Sequence, residues 1–253
     1  MEKETFFQEI EHVEVPWDER RIWVPVFYRD TLSMQVIFLA SWQKLKTLLP
    51  SSRMYPIRVM PRQGLLAISA YAYKENDLGP YNEVAVSIPF TLDRPTPAFT
   101  GIIRKAPAET WLYIHQLPVI TQIALDAGVK FAGYPKFLAD VDFEEEGDWI
   151  SCRLVDGEQH ILTLSGRKLD MQAVPRSRRH AFTTRGGRLL RSELVMSACQ
   201  AGISRNAGDA RLELGDHPIA REITDLAPGR MLAYQYTPHV QAILTPVIES
   251  FSV

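Results

Sequence analysis

Cysteine is almost absent: Cys152 and Cys199 are the only two in 253 residues. They are too few for a disulfide framework and neither stands in C-x-x-C spacing, so a reduced, cytoplasmic setting is expected. Long apolar runs are missing as well. The longest unbroken one spans residues 36–40, against the ~18 residues of a membrane-crossing helix, and the opening Met-Glu-Lys-Glu has no apolar stretch like that of an export signal. No membrane association is expected. Charge of one sign is also lacking, since 28 basic and 30 acidic side chains leave a net charge of −2. Such a balance creates no field to gather nucleic acid. Glycine loops for nucleotides, a G-x-S-x-G elbow and an H-E-x-x-H pair do not occur. His12, His115, His160, His180, His217 and His239 are scattered and never paired at ligand spacing. Neither a metal nor a cofactor is expected. Repeats, low-complexity tracts and linkers are absent too, which leaves a single domain over residues 1–253 as the expectation.

With 46% hydrophobic and 23% charged residues, the composition is that of a globular chain, long enough to bury roughly 70–75% of its unfolded surface. Residues 21–28, 34–40 and 65–73 are rich in Ile, Val, Phe and Tyr, which marks strands. Between the last two, Ser41 followed by Trp42, Leu45, Leu48 and Leu49 predicts a capped helix that ends at Pro50. Beyond the turn Asp77-Leu78-Gly79-Pro80, Tyr81, Glu83, Ala85 and Ser87 alternate with Asn82, Val84, Val86 and Ile88. One strand face therefore carries a polar row. A short strand over 111–115 and a helix from Val119, Ile123, Ala124 and Ala127 follow, with Gly128 as the helix stop. Residues 137–143, 149–155 and 160–165 predict an antiparallel meander, which 182–184, 189–195 and 210–214 extend. A helix over 217–226 with Pro218 in its first turn and a last strand at 231–236 complete the pattern. Many short strands and a few short helices, in no β-α-β rhythm, predict a mainly antiparallel α+β fold.

Gly133-Tyr134-Pro135-Lys136, preceded by Leu-Gly-Pro-Tyr-Asn-Glu at 78–83 and Ser-Ile-Pro-Phe at 87–90 and followed by Gly-Gly-Arg-Leu-Leu-Arg-Ser-Glu-Leu at 186–194, resembles the acetoacetate decarboxylase superfamily. The resemblance covers roughly residues 29–222. It implies a strongly twisted sheet closing around a cavity, a homo-oligomer, no cofactor, and a lysine, Lys136, that forms a Schiff base with a small oxo-acid substrate. An ordinary lysine has a pKa near 10.4, so only ~1 in 2,500 is the attacking neutral amine at pH 7. Desolvation or a neighbouring cation raises that fraction. Once formed, the iminium withdraws electrons and lets a C–C bond break or a C–H bond ionise to an enamine. The implied activities are thus decarboxylation of a β-keto acid and aldol condensation–dehydration with pyruvate, both carbon–carbon lyase chemistry. Glu83 matches the family's Y-x-E carboxylate and is expected to position the lysine or transfer protons. Tyr81, two residues earlier on the same face, is expected to hydrogen-bond the substrate or act as the acid.

Several positions depart from the family. Phe137 replaces a second lysine, so desolvation by neighbours such as Tyr134 and Phe137 would have to tune Lys136. Ungapped matching puts Thr31 and Ile68 where the decarboxylase has an arginine and a further glutamate, and Gly128-Val129-Lys130 where it has G-R-E. These losses argue against acetoacetate itself as substrate. Arg176, Arg178, Arg179, Arg185, Arg188 and Arg191 form a basic cluster in which Arg185 or Arg188 could fork onto a substrate acid group; Arg188 is the candidate carried forward, beside Tyr134 and Phe137. Strict alternation through Phe137, Ala139, Val141 and Phe143 would turn Lys136 to the opposite face with Asp140 and Asp142. Two other classes fit the same residues: a catalytically silent small-ligand-binding domain on this scaffold, and a β-rich interaction module.

Overall fold

The apolar stretches do fold as strands, and they run longer than their most hydrophobic segments. The computed structural model describes residues 6–8, 10–17, 20–97 and 109–252. In chain order, β1 (Val13–Trp17) pairs with β2 (Arg20–Val24), and β3 (Val26–Ser41) leads into α1 (Trp42–Leu48). Then come β4 (Met54–Pro56), β5 (Arg58–Met60), β6 (Gln63–Asn76), β7 (Tyr81–Leu92), β8 (Glu109–Gln116) and α2 (Gln122–Ala132). The second half contains β9 (Asp140–Glu146), β10 (Trp149–Asp156), β11 (Gln159–Arg167), β12 (Gln172–Ala173), β13 (Ser177–Arg185) and β14 (Arg188–Ser197). It ends with β15 (Gln200–Ser204), β16 (Ala210–Leu214), α3 (Pro218–Asp225), β17 (Met231–Leu244) and β18 (Glu249–Ser252). Ser41 caps α1 by accepting from the Lys44 N–H, and His217 does the same for α3 with Pro218 behind it.

The predicted gap between residues 28 and 34 is absent, because β3 crosses it on irregular pairings near Tyr28, Asp30 and Thr31. At the other end, the strand predicted at 231–236 continues to Leu244. The meander is real in β9, β10 and β11, and β16 adds to its edge. The strands at 182–184 and 189–195 do not extend it. They lie in β13 and β14, part of a second and larger sheet.

That larger sheet closes on itself. Its order runs β17-β3-β6-β7-β8-β13-β14, and β14 pairs back onto β17 through Leu194↔Leu244 to Ser197↔Gln241. Closure leaves these strands without free edges, as in a barrel. β8 and β13 run parallel, which requires a long crossover. The chain between them supplies it in α2 and the β9–β10–β11 meander.

Alternation then sorts side chains to two sides of the barrel wall. Outward, Leu66, Ile68, Ala70, Val84, Val86, Ile88 and Phe90 pack with Ile150, Cys152, Leu154, Leu162 and Leu164 of the smaller sheet. Inward lie Tyr71, Tyr73, Tyr81, Ala85, Leu112, Ile114, Ala181, Met196, Val240 and Ala242, joined by Ala124 and Ala127 of α2. The inner space is incompletely filled, and a cavity remains.

Candidate active site

The polar row of β7 faces that cavity. Glu83 is 6% exposed, and Tyr81 is 2% exposed. Lys136 comes to the same place by a different route. α2 does not stop at Gly128; it runs to Ala132 and is capped by Gly133 at φ 62°, whose N–H reaches the Gly128 and Val129 carbonyls. That left-handed cap suits glycine and turns the chain sharply. The exit strand is then pinned: Leu117 N–H donates to Pro135 O, Val119 N–H to Phe137 O, and Ala139 N–H to Val119 O. Val119 also bridges to Glu83. One short backbone segment thus ties the lysine loop to β7.

The result is a buried ion pair. Lys136 Nζ lies 2.7 Å from Glu83 Oε2, with side chains 5% and 7% exposed. The other carboxylate oxygen accepts from Tyr73 OH at 3.1 Å. Tyr81 and Tyr28 share a hydroxyl–hydroxyl hydrogen bond of 3.0 Å, and Tyr134 OH meets Ser192 Oγ at 2.8 Å. Lys136 Nζ sits 5.4 Å from the Tyr81 ring centroid and 6.0 Å from that of Tyr134. Aromatic faces around an ammonium favour it electrostatically. Gly128 makes room for the lysine, because a Cβ there would overlap Lys136 Cε and Cδ.

Burial is the main reason the phenols of Tyr28, Tyr73, Tyr81 and Tyr134 are held above the ordinary tyrosine range, and the Glu83 charge adds to it in each. Tyr81 therefore keeps its proton at neutral pH and is a poor acid. Lys136 lies on the wall shared by two lobes. One is polar, with Ser69, Tyr71, Tyr73, Glu83 and Arg179; the other is apolar, with Val24, Val26, Leu78, Ala124, Ala127 and Phe131.

Of the residues the sequence pointed to, Lys136, Glu83, Tyr81 and Tyr134 are brought together. Phe137 and Arg188 are not. Phe137 packs against the outer core because alternation turns it away from Lys136. Arg188 is exposed at the β13–β14 turn and donates from Nε to Ser250 Oγ at 2.6 Å. Asp140, expected on the face of Lys136, lies exposed in β9, which begins after the lysine loop and fixes a new register. Ile68 belongs to the outer core, so the residue reached by ungapped matching does not face the cavity, while Ser69 beside it does. Thr31 is 1% exposed and its hydroxyl finds no partner among the described residues. Tyr28, Tyr71, Tyr73 and Arg179 went unnoticed as site residues. Only the alternation of Tyr71 and Tyr73 on β6 hinted at two of them.

Among the described residues no three metal-ligating side chains converge, and no helix is long and apolar enough to cross a membrane. The acetoacetate decarboxylase family model matches residues 13–245. The chain belongs to the acetoacetate decarboxylase family. Solved structures agree on the fold of this family member. The acetoacetate decarboxylase of Legionella pneumophila superposes with a TM-score of 0.68 at 13% identity, covering 89% of this chain and 88% of that one. The enduracididine biosynthesis enzyme MppR, complexed with pyruvate, gives 0.64 at 9% identity over 89% and 88%. An acetoacetate decarboxylase-like enzyme from Sphingomonas wittichii RW1 gives 0.55 at 14% identity over 90% and 93%. No curated protein matches the sequence significantly.

Proposed function

We propose that the protein is a Schiff-base-forming lyase that acts on a small oxo acid, with Lys136 as nucleophile. The observation that carries this reading is the Lys136–Glu83 pair at 2.7 Å, buried at the wall of a cavity inside the closed sheet. Glu83 takes a proton from the Lys136 ammonium, and the neutral amine adds to the substrate carbonyl carbon. The carbonyl oxygen leaves as water after protonation, and the iminium remains. From a β-oxo acid, the bond to the carboxylate carbon breaks, carbon dioxide departs, and the bonding electrons pass to the iminium as an enamine. The ammonium's proton has by then left in the water, so a solvent proton passes through the Glu83 carboxylate to the enamine carbon, and water releases the product. From pyruvate, the methyl carbon instead gives a proton to Glu83, and the enamine attacks an aldehyde before loss of water. Tyr81 and Tyr134 wall off the iminium from water, and Tyr81 keeps its proton for a hydrogen bond.

The two reactions correspond to the two kinds of fold relative, one named a decarboxylase and one seen with pyruvate. A second reading, a silent ligand-binding domain, is favoured by the same ion pair, since it ties the exit of α2 to β7 and so has a structural use. Borohydride reduction separates them. The protein is incubated with pyruvate and, separately, with a panel of β-oxo acids, then reduced and weighed intact. An adduct that maps to the Lys136 peptide, and is missing from Lys136→Ala, is the expected result. The better-trapped substrate distinguishes aldol from decarboxylase chemistry. No adduct with any oxo acid would leave only the binding domain, and an adduct on another lysine would displace Lys136.

A further inference from the structure

Lys136 is not the only cation at the cavity. Arg179 reaches in from β13 alongside Ala181, whereas its neighbour Arg178 turns outward and lies 3.7 Å from Glu193. The guanidinium of Arg179 has only neutral partners among the described residues: Nη1 donates to Tyr71 OH at 3.0 Å and Nη2 to Gln35 Oε1 at 3.1 Å. Among the described residues Glu83 is the one carboxylate lining this lobe, and Lys136 and Tyr73 already hold it. With that pair neutral, the lobe keeps one uncompensated positive charge. A half-buried cation without a counter-charge is costly, and an entering anion relieves the cost.

The hydrogen bonds around Arg179 are polarised toward donation. Gln35 takes one guanidinium N–H on its oxygen and gives its own N–H to Ser69 Oγ at 3.1 Å. Ser69 and Tyr71 therefore both act as acceptors toward the protein, and neither hydroxyl proton has an acceptor among the described residues. Ser69 is 2% and Tyr71 7% exposed, so those protons point to a site nearly closed to bulk water. Arg179, Tyr71 and Ser69 together present a set of donors with no acceptor. Tyr71 is the direct cross-strand partner of Glu83, which puts this set one side chain from the nucleophile's own carboxylate.

We propose that Arg179, with the Tyr71 and Ser69 hydroxyls, anchors the substrate carboxylate and selects α-oxo acids over neutral ketones, a role that rests on the Schiff-base reading for the place of the carbonyl. A guanidinium forks onto a carboxylate with two parallel hydrogen bonds. That stabilises the carboxylate in the ground state and opposes its departure as carbon dioxide. The anchor therefore suits an acid group that stays on the substrate while the carbon on the other side of the carbonyl becomes the enamine.

Two measurements test it separately from the Schiff base. In calorimetry, the wild-type chain should bind propanoate roughly tenfold or more tightly than propanamide, the scale of a charged hydrogen-bonded contact. Arg179→Gln should erase that preference, and Arg188→Ala should leave it intact. No preference in the wild type, or an unchanged one in Arg179→Gln, overturns the anchor. In borohydride trapping, Arg179→Gln and the milder Tyr71→Phe should lower the pyruvate adduct and spare that of hydroxyacetone. Loss of both adducts in Tyr71→Phe as well, with an unchanged unfolding midpoint, would make the role general rather than carboxylate-specific and overturn it. If the propanoate preference depends on Arg179 but the wild type traps neither ketone, the anchor stands and the lyase reading falls. If pyruvate is trapped equally in wild type and Arg179→Gln, the lyase reading stands and the anchor falls.

Discussion

On β6 and β7, Leu66, Ile68 and Ala70 with Val84, Val86 and Ile88 face the smaller sheet, while Ser69, Tyr71 and Tyr73 with Tyr81, Glu83, Ala85 and Ser87 face into the barrel. The two sets alternate along the same strands and are buried to a similar degree. They differ in what covers them. Outside, a second sheet lays its own aliphatic residues on the wall, and a dry contact of that kind accepts no polar atom without a loss. Inside, α2 and the β1–β2 hairpin residues Trp17 and Ile22 add cover, and the leftover space is tolerable because the polar groups around the lysine are partnered: Glu83 with Lys136 and Tyr73, Tyr28 with Tyr81, Tyr134 with Ser192. Burial on one face supplies stability, and on the other it isolates a charge pair.

The sharpest way to break the comparison is to move a carboxylate across the wall. Val86→Asp puts an unpaired acid at a position that is 1% exposed, next to the Ala85 face where an acid is at home. A loss of several kcal/mol, comparable with the whole stability of a domain, is expected. Circular dichroism should show no cooperative melt at 25 °C. A folded Val86→Asp with native near-ultraviolet signal would mean that the outer face is wetter than its packing shows.

A smaller effect comes from alkaline pH and acts on the inner face. The phenols of Tyr28, Tyr73, Tyr81 and Tyr134 are raised in the folded state, first by burial and then by Glu83. The unfolded chain therefore releases these protons first, near pH 10. Their contribution to stability is complete below that pH and declines as pH rises toward the folded values. The denaturation midpoint should fall steadily above about pH 10, and absorbance at 295 nm should show the buried phenolates forming together with unfolding. Independent ionisation of all tyrosines near pH 10 in the folded protein would show the cluster to be open.

The smallest expected change in stability is the most informative about geometry. Gly128→Ala improves helix propensity by up to about 1 kcal/mol and forces only the flexible end of Lys136 to move. Melting should be unchanged or slightly raised, while pyruvate trapping should drop by tenfold or more, because displacing a nucleophile by about 1 Å is that damaging. Equal trapping with equal melting would mean that Lys136 works from another rotamer.

Much of this was readable from residue order. Period-two alternation placed Glu83 with Tyr81 and opposite Val84 and Val86, and local capping placed α1 and α3 to within a residue or two of their ends. Gly133-Tyr134-Pro135-Lys136 singled out the lysine. Gly128 and Arg188 take other places than their local pattern indicates for a common reason. A glycine can end a helix or make way for a neighbour, and an arginine between two strands can bind a ligand or solvent; which one holds depends on what stands opposite.

Sequence by itself determined the strands and their two-faced pattern, because these depend on neighbours within a few positions along the chain, while the resemblance of Gly133-Tyr134-Pro135-Lys136 to a family drew attention to Lys136. Tertiary structure alone decided that β14 returns to β17 and closes the sheet, that the Lys136 side of the loop meets a cavity instead of bulk water, and that Arg179, and not Arg188, shares it. Those outcomes depend on which strands pair across long stretches of chain, and pairing partners are chosen by the burial of whole faces together, a quantity no local window contains.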